Sequence, residues 1–201
     1  MRKLIVSEML TADGVMQAPG GPDEDRSDGF QYGGWQMAME ADDQQMDELK
    51  RPFHEADAFL LGRTTYDNFA DYWPKHVDIE PFGQAFNKHP KYVVSRTLSE
   101  PLSWQGSNLI SDNVVDRIRE LKEGEGQAIA VIGSGELVQT LLANDLVDEL
   151  QVFVFPLVLG TGKKLFREGL PPLNLELLDS STSSGYGSLW LKYRPRVKLT
   201  S

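Results

Sequence analysis

A chain of 201 residues with 40% hydrophobic and 25% charged content has the make-up of a soluble globular protein, and its length suits one compact domain with a substantial core. A formal charge of −10 opposes general nucleic-acid binding, so any anionic ligand must be held by local cations and backbone donors. Cysteine is absent, which excludes disulfides and thiolate metal sites and fits a cytoplasmic location; no run of about eighteen apolar residues marks a membrane span.

The opening MRKLIVSEML reads as a first strand. Glu8 interrupts its apolar run and no small-residue cleavage site follows, so the stretch looks like a strand and not a signal peptide. Lys3-Leu4-Ile5-Val6 starts that strand near a sheet centre. Thr11 to Met16 follows, and then a long polar loop, Ala18 to Gly34, rich in Gly, Pro and Asp. Residues 19–29 fit a substrate lid and a solvated insertion equally well. Trp35 begins a helical stretch, Gln36 to Arg51, with Met39, Met46, Leu49 and Phe53 on its apolar side and Pro52 closing the last turn. Glu40, Asp43 and Asp47 share one face of it.

Asp57 to Leu61 is a second buried strand, ended by Gly62-Arg63-Thr64-Thr65. A helix follows, marked by Tyr66, Phe69, Tyr72 and Trp73, with Thr64 or Thr65 as its expected cap. Pro81 to Asn87 is a short helix, and Tyr92-Val93-Val94 is a third strand ending in Ser95-Arg96-Thr97. Asn108 to Ile110 is a short fourth strand. Ser111 or Asp112 then caps a helix with the buried stripe Val114, Val115, Ile118 and Leu121, stopped by Gly124 and Gly126.

Ala128 to Leu142 is the organising stretch. Ala128 to Ile132 reads as a buried strand, Gly133-Ser134-Gly135 as a tight turn, and Leu137, Val138, Leu141 and Leu142 as a helix face. Such a turn exposes backbone N–H groups at a helix N-terminus, a ready site for phosphate. Gln151 to Phe155 is another strand, followed by the loop Leu157 to Gly162 and by Lys163-Lys164, read as a solvated pair. Leu173 to Asp179 and Ser188 to Tyr193 predict an antiparallel hairpin at one sheet edge.

Alternating strands and helices predict a three-layer α/β fold: a mostly parallel mixed sheet flanked by helices, a C-terminal antiparallel hairpin, one domain over residues 1–201. Ligands of open α/β sheets bind outside the carboxyl ends of the strands. Three turns lie there: Gly62-Arg63-Thr64, Ser95-Arg96-Thr97 and Gly133-Ser134-Gly135. If their strands are neighbours, one elongated anion touches all three. The glycine turn alone is weak, and it fails as a Rossmann fingerprint because the third glycine position is Val138. Arg63 and Arg96 singly fit surface ion pairs; together they suit a phosphate monoester, such as the 2′-phosphate that distinguishes NADPH from NADH. The histidines His54, His76 and His89 show no metal-ligand spacing, and no serine sits in a nucleophile-elbow pattern.

Asp13-Gly14, Asp57-Ala58 through LLGRTTYDNF, Tyr92 to Thr97, VIGSGELVQTLL and LVDELQVFVFPLVLGTGKKLF together resemble the dihydrofolate-reductase-like superfamily. The specific likeness is to the reductase domain of bifunctional riboflavin-biosynthesis deaminase–reductases. That resemblance implies an NADPH-dependent reductase of a small pyrimidine or pterin-like substrate, most closely the 5-amino-6-(5-phosphoribosylamino)uracil reductase type. It implies that Gly62, Arg63, Thr64 and Thr65 approach the cofactor phosphates and that Ser95 and Arg96 flank the adenosine and its 2′-phosphate. Gly133, Ser134, Gly135, Glu136 and Leu137 would hold the pyrophosphate, with a cis peptide between Gly133 and Ser134. Leu10 to Met16 would border the nicotinamide ribose, and Asp13, Gly14 and Trp35 would lie on the nicotinamide or substrate side.

In dihydrofolate reductases a carboxylate on the first helix grips the pterin a few residues after a tryptophan. Glu40 is the matching catalytic candidate here, with Asp43 and Asp47 beyond it, although all three acids also fit a solvated helix face. The serine, arginine and acidic positions that riboflavin-pathway reductases use for a ribose phosphate are not evident before Gly62. Dihydrofolate reductase proper and a nucleotide-binding protein without turnover are the alternatives. The resemblance, with the apolar strand Val152 to Phe155 and the C-terminal β segment, implies a homodimer; the charge and the lack of a long apolar run predict neither a nucleic-acid nor a membrane partner.

Overall fold

The computed structural model describes residues 1–38, 42–184 and 187–196. Eight strands form one sheet: β1 (Lys3–Thr11), β2 (Ala56–Gly62), β3 (Lys91–Val94), β4 (Ser107–Ile110), β5 (Ala128–Ile132), β6 (Glu149–Phe155), β7 (Asn174–Thr182) and β8 (Leu189–Arg196). Their order is β4-β3-β2-β5-β1-β6-β8-β7, parallel from β4 to β6 and antiparallel at β8 and β7. The expected C-terminal hairpin is therefore present at the edge. The apolar runs of β1, β2 and β5 are explained by this order: these strands lie inside the sheet and bury side chains on both faces.

Strand alternation divides those side chains between two layers. Leu4, Val6, Leu60, Ile129 and Val131 pack with Ile118 of α4 (Val114–Glu123) and with Val138 and Leu141 of α5 (Gly135–Ala143). Phe59, Leu61, Val93 and Ala130 face the opposite layer. There they meet Phe53 of α1 (Asp43–Glu55), Tyr66 of α2 (Arg63–Tyr72) and Phe86 of α3 (Phe82–Lys88).

Several local expectations are corrected. The stretch Gln36 to Arg51 is not one helix: a 3-10 turn spans Trp35–Ala38, and α1 begins at Asp43. Asp42 sets that start, its carboxylate accepting the Gln45 N–H at 2.8 Å. Neither Thr64 nor Thr65 caps α2, whose N-cap is Gly62 without a side-chain bond. Asn113, in left-handed conformation, replaces Ser111 or Asp112 at the start of α4. Val152, Phe153 and Phe155 are enclosed in the core between β1 and β8, so they present no outer face to a second subunit.

Candidate functional site

Parallel neighbours end on the same side of a sheet, and β3, β2, β5 and β1 are consecutive. The three turns singled out in the sequence therefore stand side by side, with Thr11 to Met16 next to them. Hydrogen bonds join them. Ser134 Oγ accepts the Gly62 N–H at 2.9 Å and donates to Thr65 Oγ1 at 2.9 Å. Arg63 Nη1 donates to Thr97 Oγ1 at 2.8 Å, and Ser95 Oγ accepts the N–H groups of Thr97 (3.2 Å) and Leu98 (3.1 Å). Arg63, Thr64 and Arg96 are exposed, whereas Ser95 is buried beneath them. A cleft of about 480 Å³ opens beside Ile110, which accepts the Ser95 N–H, and Asn113.

The glycine turn uses two successive left-handed residues, Gly133 at φ +65° and Ser134 at φ +64°. The Gly133–Ser134 peptide is trans, which corrects the cis bond implied by the resemblance; among the described residues the cis bonds are Glu80–Pro81 and Glu100–Pro101. At Gly135 a Cβ would lie 2.7 Å from Met16 Sδ, so a larger residue there would require the methionine side chain to move. Because the Ser134 hydroxyl is committed to Gly62 and Thr65, it does not cap α5, whose first-turn N–H groups have no intrahelical partner.

On the other side of β1 the candidates have structural partners. Asp13 accepts from Thr11 Oγ1 at 2.6 Å, Gly160 N–H at 2.9 Å and Leu159 N–H at 3.3 Å, which fastens the loop after β6. The Thr11 bond is the main reason its carboxyl is lowered to about 2. Gly14, at φ +83°, closes the turn after β1. Trp35 is buried; its Nε1 donates to Gln17 O at 2.8 Å and its ring meets Phe155 edge-on. Asp43 and Asp47 lie on the exposed face of α1, and Glu40 lies outside the described residues.

Residues 17–35 form a packed strap. Phe30 is buried against Gly162, Gln17 Oε1 accepts the Lys163 N–H at 3.0 Å, and Lys163 Nζ pairs with Asp25 at 2.7 Å and Ser27 Oγ at 2.6 Å. Lys163 is thus a fastener and not half of a solvated pair. Asn68 of α2 donates to Glu24 O at 2.8 Å from the opposite side. Glu24 folds back on Gly20 and Gly21, and burial raises its carboxyl.

Sequence patterning assigned no role in the site to two groups. Glu8 sits in β1 at 4% exposure. Burial pushes its carboxyl well above the ordinary range, although the Gly133 N–H donates to it. Arg167, in the loop after Lys163, pairs with Glu136 at 2.6 Å. Among the described residues no group of three or more His, Cys, Asp or Glu is arranged to hold a metal, and no helix is long and apolar enough to cross a membrane.

The sheet and its turn cluster define an α/β reductase-type fold of the dihydrofolate reductase kind. A dihydrofolate reductase from Enterococcus faecalis, solved with NADP(H) and RAB-propyl, superposes with a TM-score of 0.62 at 11% identity, covering 97% of each chain. The family model described as RibD C-terminal domain matches residues 2–186, and the chain belongs to that family. A provisionally named riboflavin biosynthesis protein from Shewanella sp. PV-4 superposes with a TM-score of 0.73 at 21% identity, over 97% of this chain and 99% of that one. A pyrimidine reductase-like protein from Corynebacterium diphtheriae gives 0.64 at 14% identity, over 98% and 93%. In sequence the chain is 32% identical to the uncharacterised protein YyaP of Bacillus subtilis (strain 168) over 134 residues, which are 65% of this chain and 70% of YyaP. It is 29% identical to YwjB of the same organism over 118 residues, 58% of this chain and 62% of YwjB. Family membership places the chain among reductase-type domains.

Proposed function

We propose that this protein is an NADPH-dependent oxidoreductase, a single domain that reduces a pyrimidine or pterin-like heterocycle, of the 5-amino-6-(5-phosphoribosylamino)uracil reductase type. One observation carries the reading: the turns after β3, β2 and β5 are adjacent and hydrogen-bonded to one another, so a single extended anion can reach all three.

The residues fit the cofactor. Gly133 and Gly135 keep the turn free of side chains, and the uncapped start of α5 offers backbone N–H groups and a favourable dipole to a diphosphate. Arg63, Arg96 and Ser95 supply donors for the adenosine 2′-phosphate, the guanidinium groups as bidentate forks. Leu10 to Met16 borders the nicotinamide ribose, and the strap from Gln17 to Trp35 walls the substrate side and limits water there. NADPH, when bound, supplies the hydride, so the protein's work is to bind, orient and shield. No nucleophile is required.

Fluorescence titration with NADPH and NADH, repeated on Arg63→Ala and Arg96→Ala, tests the assignment. Each loss of a charged contact should weaken NADPH by about tenfold and NADH far less. Equal affinity for both cofactors, untouched by either substitution, overturns it. Turnover with the phosphoribosylaminouracil against dihydrofolate then separates the two substrate classes; binding without turnover of either would favour a nucleotide-binding role.

A further inference from the structure

The diphosphate position of this site has backbone donors, while Arg63 and Arg96, assigned above to the 2′-phosphate, follow β2 and β3, one and two strands from β5. On a chain with formal charge −10, an anion at the glycine turn needs a cation of its own. The fold delivers one from far along the sequence. Arg167 Nη1 lies 2.6 Å from Oε1 of Glu136, the second residue of α5.

The two partners are unequally anchored. The Arg167 side chain is 33% exposed and that of Glu136 is 85% exposed. The loop bearing Arg167 is fixed by Leu165, which is fully buried, whose N–H donates to Gly14 O at 3.2 Å and whose carbonyl accepts from Gln139. Leu170 packs on the same core. The arginine is therefore the fixed member, and the glutamate reaches over from the helix start. Glu136 is held below the usual carboxylate range, first by the Arg167 hydrogen bond. From beneath, the more than nine-tenths buried Glu8 takes the Gly133 N–H, while its Oε1 has no hydrogen-bond partner among the described residues. Burial disfavours the charged form of that carboxyl.

We propose that Arg167 is a binding residue for the diphosphate of a dinucleotide cofactor, and that Glu136 is the resident anion the diphosphate displaces. This rests on the NADPH reading above. Ligand and carboxylate compete for one guanidinium fork, whereas the backbone donors of α5 serve the ligand alone. The competing account is a simple tether, in which the pair only pins the loop to the helix. The two accounts differ in sign: for a tether, losing either partner harms the same thing, while for a competitor, losing Glu136 helps.

NADPH titrations of the wild type, Arg167→Gln, Glu136→Gln and the double variant, with thermal melts alongside, decide between them. Arg167→Gln should weaken NADPH by about tenfold and flatten its salt dependence. Glu136→Gln should tighten it about two- to fivefold, the double variant following Arg167→Gln. Adenosine 2′-phosphate, which lacks the diphosphate, should compete equally well against wild type and Arg167→Gln. If both single variants shift affinity in the same direction, or adenosine 2′-phosphate loses as much as NADPH does, Arg167 is not a diphosphate residue, although the cofactor assignment stands. A wild type that fails to bind NADPH removes both.

Discussion

The Ser134 hydroxyl donates to Thr65 Oγ1 at 2.9 Å while accepting the Gly62 N–H at 2.9 Å, so one side chain joins the turn after β5 to the turn after β2. It also stabilises a left-handed serine, a conformation that costs energy when nothing holds it. Ser134→Ala keeps the strain and loses both bonds. It should destabilise the protein by about 1–2 kcal/mol in urea unfolding and weaken NADPH, whereas Ser134→Gly, which relieves the strain, should cost less.

Glu8 makes stability pH-dependent. Its folded value is raised by burial above the ordinary 4.5, so its contribution is fully present below that unfolded value and is lost as pH rises through the raised one. Glu8→Gln cannot ionise. Denaturant midpoints from pH 5 upward should fall less steeply for the variant than for the wild type; parallel curves would place no such penalty on Glu8.

Lys91 acts in the opposite direction at higher pH. Its ammonium is buried in β3, donating to Phe86 O at 2.9 Å and lying 4.4 Å from the Trp104 ring centroid. Burial lowers it from 10.5 to about 8. Between those values the unfolded chain binds more protons than the folded one, so stability gains a rising component that disappears as pH falls through 8. Lys91→Met should abolish that component between pH 8 and 10.5 in the same measurements.

Gly162 fixes the strap. At φ +113° it already disfavours a side chain, and a Cβ would lie 2.7 Å from Val15 Cγ1 and 2.8 Å from Phe30 Cε2. Gly162→Ala should cost about 1–3 kcal/mol and speed amide exchange of residues 17–30.

We propose that the homodimer implied by the resemblance, if it forms, uses the edge hairpin, where Leu177, Leu178 and Leu189 are exposed. Leu177→Lys should convert a dimer to a monomer in sedimentation velocity, and a wild type that sediments as a monomer refutes the assembly.

Most of the sheet was legible because its inner strands are buried on both faces and read as unbroken apolar runs; Ala128 to Ile132 is found as a strand within those same limits. The three turns were legible because each follows such a run. Capping was not. Asn113 and Gly62 take their places through backbone conformation, with no side-chain bond to advertise it, and Asp42 interrupts a helix whose apolar spacing continues through it. The strap was unreadable for another reason: its fasteners, Lys163, Gly162 and Asn68, lie far away in sequence and meet it only through the fold. Arg167 and Glu8 belong to the same class. One looked like an ordinary loop cation, the other like a polar break in a strand.

The consecutive placement of β3, β2 and β5 also works as a ruler. Hydrogen-bonded strands are spaced about 4.8 Å apart, so the first and last turns are separated by about 10 Å across the sheet. A ligand that fills all three must reach across that distance, which free phosphate cannot do. Full occupancy selects ligands by span before any contact selects them by chemistry.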